Sequence, residues 1–269
     1  MDMPGDSLTH AALAVLNTAD PAAKAEAALA VARGWRDGAI AAVGTAVPPD
    51  RPARPAHPVL RPPREVPRRR ITSGVQGRVA LLHALAHIEL NAIDLAFDII
   101  ARFAHEDLPR GFYDDWVAVG ADEARHYAML AGRLGELDAA YGDLAAHDGL
   151  WQAAVETADD LLARLAVVPL VLEARGLDVT PAMVGKLRAA GDDRSADILQ
   201  RIHDEEIAHV AAGARWFRHL CERRGCEPET TYRDLVRRRF KGAVKPPFNR
   251  ASRDAAGFAA EFYEPLAAD

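Results

Sequence analysis

A lone glutamate followed about thirty-four residues later by Glu-x-x-His occurs twice in this chain. The first copy is Glu89 with Glu123 and His126, and the second is Glu173 with Glu206 and His209. The separations, 34 residues from Glu89 to Glu123 and 33 from Glu173 to Glu206, nearly repeat. One Glu-x-x-His is a weak signal, because Ala-rich helices produce it by chance. Two copies, each preceded by a glutamate at a matched distance, are much harder to obtain by accident. Four carboxylates and two imidazoles make a complete ligand set for two metal ions when helices project them into one interior. The set is oxygen-rich, contains imidazole and lacks thiolate, which suits iron or manganese over thiolate-preferring metals.

Hydrophobic periodicity indicates where these side chains point. Glu89 shares a helical face with Leu82, Leu85, Ala86, Ile93, Ala96 and Ile100. Glu123 shares one with Trp116, Val119, Gly120, Tyr127 and Leu130, and His126, three residues on, lies on the same face. Glu173 follows Leu162, Ala166, Pro169 and Leu170, while Glu206 lies among Leu199, Ile202, Val210 and Gly213. Each acid thus sits within an apolar stripe, where an isolated carboxylate costs several kcal/mol to bury. Two divalent cations would neutralise four carboxylates and remove that cost. The alternative is that these faces are exposed. Glu205 competes with Glu206, but its face (Ile198, Arg201, Ala208, Ala212) is mixed and it lies four residues from His209, so Glu206 is the expected ligand. Each ligand histidine should donate its other ring N–H to a carboxylate or carbonyl, with Asp94, Asp122 and Asp204 as candidates. His83 and His87 share a face rotated from Glu89 and are expected to be ordinary polar or interface histidines. Tyr127 is expected to pack in the core.

The elements that must carry these residues are helices. The pattern predicts helix one at about 74–105, two at about 111–137, three at about 148–176 and four at about 192–224. Gly111 and Gly176 should mark helix ends, and Thr180-Pro181 should start a short extra helix. Pro169, one turn before Glu173, should disturb helix three, since proline removes an amide donor and crowds the preceding turn. A short join makes helices one and two antiparallel neighbours, and residues 138–148 then form a long crossover to helix three. Residues 1–45 read as a two-helix extension, with Asp20-Pro21 as cap and first helical position. Residues 46–70 read as a Pro/Arg-rich linker, 71–225 as the bundle, and 226–269 as an irregular tail packing on it. The expected fold class is all-α.

Composition narrows the remaining classes. The net charge of −6 implies no particular partner. Arg51, Arg54, Arg61, Arg64, Arg68, Arg69 and Arg70 crowd one stretch, and Arg237, Arg238, Arg239, Lys241 and Lys245 form another. These could face an anionic substrate or nucleic acid, or simply make a solvated extended segment. Cys221 and Cys226 form neither a disulfide framework nor a zinc signature and read as free thiols in a reducing compartment. No signal-peptide pattern opens the chain and no run of eighteen apolar residues occurs, so a cytoplasmic location without membrane association is expected.

The order Glu, Glu-x-x-His, Glu, Glu-x-x-His resembles the ferritin-like superfamily of di-iron carboxylate proteins. The stretches "LLHALAHIELNAIDLAFDI", "DEARHYAML", "VPLVLEARGLDVTP" and "IHDEEIAHV" more closely resemble the bacterial ferritin-like family known as domain of unknown function 455, related to tRNA-modifying non-haem di-iron hydroxylases. The resemblance spans about 70–250. It implies a ferritin-like four-helix bundle with one long crossover, and a dinuclear iron site held by Glu89, Glu123, His126, Glu173, Glu206 and His209. It further implies O₂ as co-substrate, an external electron donor, and an organic substrate that is a small molecule or a modified RNA. A homodimer is the candidate assembly. Two other functions are carried beside this one: a ferroxidase or iron-handling protein without organic substrate, and a metal-stabilised, non-catalytic helical binding module.

Overall fold

The computed structural model describes residues 7–62, 65, 66 and 74–267, and these form helices with no strand among them. The chain divides into two compact units, Met1–Trp151 and Gln152–Asp269.

The first unit holds α1 (Leu8–Leu16), α2 (Pro21–Arg36), α3 (Val75–Arg102) and α4 (Arg110–Glu136). Asp20 accepts a hydrogen bond from the Ala23 amide at 2.8 Å with Pro21 opening α2, the start that Asp20-Pro21 implied. The short join between α3 and α4 sets them antiparallel, α1 packs on α3 and α2 packs on α4. The α3 helix is long and apolar enough to cross a membrane, but 78% of its most apolar window is buried inside the protein. Enclosure on several sides accounts for that composition.

Docking of α2 brings Lys24 against α3. Its Nζ donates to the Val15 and Leu16 carbonyls (3.2 and 3.3 Å) and to Asp94, and Arg54 NH1 approaches Asp94 Oδ2 at 2.7 Å. Burial pushes the Lys24 pKa down and the Asp94 pKa up, while the opposite charges pull each back. Asp94 is therefore committed to two cations and does not orient a ligand histidine as expected. Residues 46–62 are irregular but tied down. Ala53 donates its amide to the Leu16 carbonyl at 2.8 Å, Arg54 NH2 reaches Asn91 Oδ1 at 2.6 Å, and Arg51 pairs with Asp148. Arg64, Arg68, Arg69 and Arg70 lie outside the described residues.

The segment 138–148 is folded rather than extended. His83 Nε2 accepts the amides of Gly142 (3.0 Å) and Leu144 (3.4 Å), and Tyr141 stacks on the His83 ring. The Tyr141 hydroxyl donates to His87 Nδ1 at 2.8 Å, and His87 Nε2–H donates to the His147 carbonyl at 3.0 Å. His83 and His87 are thus buried anchors for this segment, the interface role of the two expected for them. Tyr127 meets Tyr141 edge-on within the same cluster.

One helix is expected over about 148–176, disturbed at Pro169. The structure instead has α5 (Gly149–Glu156), α6 (Leu161–Val167), a π-helical turn (Val168–Glu173) and α7 (Ala174–Ala189). The break before α6 is stitched by the buried Arg164, whose guanidinium donates to the Ala154 carbonyl (2.7 Å) and Thr157 Oγ1 (2.8 Å), and Asp160 caps α6. Pro169 lacks the amide that an α-ladder needs, and the ladder lengthens there: Ala174 donates to the Pro169 carbonyl, five residues back. Gly176 and Thr180-Pro181 lie inside α7 and do not bound it. The Leu177 carbonyl, which Pro181 cannot serve, accepts from Asn249 Nδ2 at 3.1 Å instead.

The antiparallel partner of α7 is α8 (Asp193–Arg224), closed by Gly225 at φ 65°. The tail is helical, not irregular: α9 (Pro228–Arg239), α10 (Arg250–Ala255) and α11 (Ala260–Ala267). Glu227 and Asn249 cap the first two by accepting amides three residues on. The Arg253 guanidinium grips Asp178 through two bonds of 2.8 and 2.7 Å, fixing α10 to α7. Part of the second basic stretch is neutralised internally, since Arg239 pairs with Asp159 and Lys241 with Glu156.

Replacing Lys24 with Met should cost about 3–5 kcal/mol in urea denaturation, because Asp94 stays buried with half its compensation. Loss of less than about 1 kcal/mol would show that the pair does not hold α2 in place. His87 gives a pH signature. Burial, opposed by the His147 carbonyl and reinforced by Arg54, holds its pKa down to about 4 from 6.5. The unfolded chain therefore takes up a proton that the folded one refuses. Stability is full above pH 6.5 and should fall by about 3 kcal/mol as pH drops towards 4. His87→Gln should remove that slope from the pH–stability curve.

Candidate metal centre

In the first unit α3 and α4 bring Glu89, Glu123 and His126 together. His126 Nδ1 lies 3.3 Å from Glu89 Oε2 and 3.5 Å from Glu123 Oε2. All three side chains are buried, with Glu123 1% and His126 0% exposed. The register follows from α4 itself: Glu123 and His126 lie one turn apart, and Gly120 and Phe97 bring the two helices close. A Cβ at Gly120 would sit 2.7 Å from the Phe97 ring, so glycine is what permits this spacing.

In the second unit α8 repeats the arrangement. His209 Nδ1 lies 3.4 Å from Glu206 Oε2, and both residues are buried. Glu205 is partly exposed and bonded to Arg201 at 3.0 Å. Glu173 is half-buried and ends the π-helical turn, where α-helix resumes. The sequence signal for that turn was Pro169, one turn before Glu173. Widening there has a packing consequence on α8: a Cβ at Gly213 would lie 2.5 Å from Pro169 Cβ. Tyr232 donates its hydroxyl to the Leu170 carbonyl at 3.2 Å, steadying the turn.

Electrostatics set the character of the first cluster. Burial raises the Glu89 pKa well above the ordinary carboxylate range, and the nearby Glu123 charge raises it further. Burial works against a charged His126, but Glu123 and Glu89 outweigh it and carry its pKa to about 11. Without a metal the positive charge in this apolar interior is the proton held on His126, and a bound cation would take its place. The spacing suits such a cation. Two donor atoms each about 2.1 Å from one ion, at tetrahedral to octahedral angles, lie about 3.0–3.4 Å apart. The Nδ1–Oε2 separations in both units are close to that range. Carboxylates with imidazole suit iron, manganese or zinc by donor chemistry.

Other candidate supports have different roles. Asp122 pairs with Arg125, and Asp204 accepts from Gln200 Nε2 at 2.8 Å. His83 and His87 anchor residues 138–148. Cys221 is buried with its thiol pushed up to about 12, and both cysteines are free.

The family described as "Protein of unknown function (DUF455)" matches residues 17–264, and the chain belongs to it. An uncharacterized protein of Haemophilus influenzae is 40% identical over 215 residues, covering 77% of this chain and 73% of that protein. No solved structure matches.

Gly213→Val forces the Pro169 contact and should cost about 1–3 kcal/mol in thermal unfolding. Gly132→Ala, where nothing lies within 4 Å of the added Cβ, should be neutral or stabilising by up to about 1 kcal/mol. Equal effects at the two glycines would contradict the close approach.

Proposed function

We propose that this member of the family is a non-haem di-iron oxidoreductase that uses O₂ to hydroxylate or oxidise an organic substrate, within a ferritin-like four-helix bundle. The observation that carries the reading is the repeated half-site: a buried Glu-x-x-His with the same Nδ1–Oε2 geometry in each unit. Under this reading Glu89, Glu123, His126, Glu173, Glu206 and His209 are the six ligands.

When bound, two ferrous ions supply the two electrons that begin O₂ activation. The protein's part is to hold and insulate. Glu89, Glu123, Glu173 and Glu206 balance the charge, and His126 and His209 offer Nδ1 as neutral donors. The apolar faces of α3 and α4 exclude water from the first half-site. Glu173, on a π-helical turn, sits where helical geometry is least regular, and such turns recur at functional sites. Hydroxylation consumes O₂, two electrons and two protons per substrate, giving the alcohol and water. An external donor must therefore restore the reduced state. A ferroxidase without organic substrate remains the second reading, favoured by the charge-rich ligand set alone. A modified RNA and a small molecule are both admitted as substrate class.

The test is metal content with O₂ uptake by the ferrous protein. About two irons per chain are expected, with rapid O₂ consumption. Glu123→Ala and Glu206→Ala should each lower the iron content and abolish fast O₂ uptake. Less than about one metal per chain, unchanged in both variants, would overturn the site.

A further inference from the structure

The outer side of α4 carries a feature that the metal chemistry does not use. Between α2 and α4 lies a cleft of about 690 Å³ within the first unit, a volume in the range of small-molecule sites. Its α4 side is the stripe Asp114, Val117, Ala118, Ala121, Asp122 and Arg125. Glu123 and His126 belong to the face turned towards Glu89 of α3, so the cleft and the half-site occupy different faces of the same turns.

The cleft exists because its floor is small. Ala32, Ala118 and Ala121 leave unfilled the space that larger side chains would occupy between the two helices. Trp35 also lines it. It is buried, its Nε1–H donates to Asp114 Oδ1 at 2.7 Å, and the Arg110 guanidinium lies 4.1 Å over its ring. An aromatic wall fixed at its polar edge is a rigid apolar surface. Charge around this floor is lopsided. Four arginines (Arg33, Arg36, Arg110 and Arg125) line the cleft against two aspartates. Arg125 is matched by Asp122 and Arg36 by Asp37, and Arg110 lies 3.6 Å from Asp114. Arg33 is exposed and has no ion-pair partner among the described residues.

We propose that this cleft binds an organic oxyanion, a phosphate or carboxylate attached to an apolar body of ring or short-acyl size. The body lies on the alanine floor against Trp35, and the oxyanion meets Arg33 and its neighbouring guanidiniums, which offer paired N–H donors to such groups. Nothing in this assignment depends on iron.

Calorimetric titration of the full-length protein tests it, with phenyl phosphate, octyl phosphate and octanoate as probes, and inorganic phosphate and octanol as controls. At least one probe should bind one-to-one, at least tenfold more tightly than either control. The phosphate and carboxylate arms identify the headgroup, and the phenyl and octyl arms the body. Arg33→Gln and Ala118→Phe should each weaken the best probe at least fivefold. Both positions are exposed, so folding should survive, and thermal melts check that it does. Binding no tighter than inorganic phosphate, or unchanged by Ala118→Phe in a folded variant, would overturn the proposal.

Discussion

Carboxylates placed against imidazoles inside apolar helix faces are the constraint around which this chain is arranged. Removing Glu89, Glu123 and His126 from water is unfavourable unless their charges answer one another and a cation. The helices that enclose them must therefore be held in fixed register, and the rest of the structure supplies that register. In the first unit, α2 is pinned by the buried Lys24–Asp94–Arg54 group, and Gly120 lets α4 approach Phe97. In the second, α8 meets the π-helical turn at Gly213, and Arg253 fastens the tail to Asp178. Buried ion pairs are costly to assemble and costlier to break singly, so they define alignment more than they add stability.

Much of this was legible in the sequence because helix periodicity is strong where the partner face is extensive. The expected spans of about 74–105, 111–137 and 192–224 lie within a few residues of α3, α4 and α8. The gathering of Glu89 with Glu123 and His126 follows from the same periodicity, since their stripes meet in one interior. What periodicity could not show were the places where tertiary partners override it. Pro181 looks like a helix start until Asn249, distant in sequence, serves the carbonyl that proline abandons. Pro169 signalled a disturbance, but whether a helix kinks, stops or widens depends on neighbours such as Gly213 and Tyr232.

The tail and the segment 138–148 show a second limit. Both are rich in small and polar residues, so weak periodicity leaves one as an irregular tail and the other as a bare crossover. Glu227 and Asn249 are nevertheless ordinary cap residues, and the helices they start are held by Arg253 and an aromatic cluster around Tyr232 and Phe258. His83 and His87 were open between polar-face and interface roles because helical angle alone separates them from Glu89. Their buried role emerged only with Tyr141 and the Gly142 amide in place. Asp94 was one of three candidates to orient a ligand histidine, and Lys24, which claims it, lies 70 residues earlier in the chain.

The proposed function requires the two Glu-x-x-His half-sites to serve one dinuclear centre. Anomalous diffraction at the iron and manganese edges, from crystals of metal-loaded protein, tests it most directly. The account predicts two peaks about 3.5–4 Å apart, one beside His126 and one beside His209. A single peak, or two peaks too far apart to share a carboxylate, would contradict it.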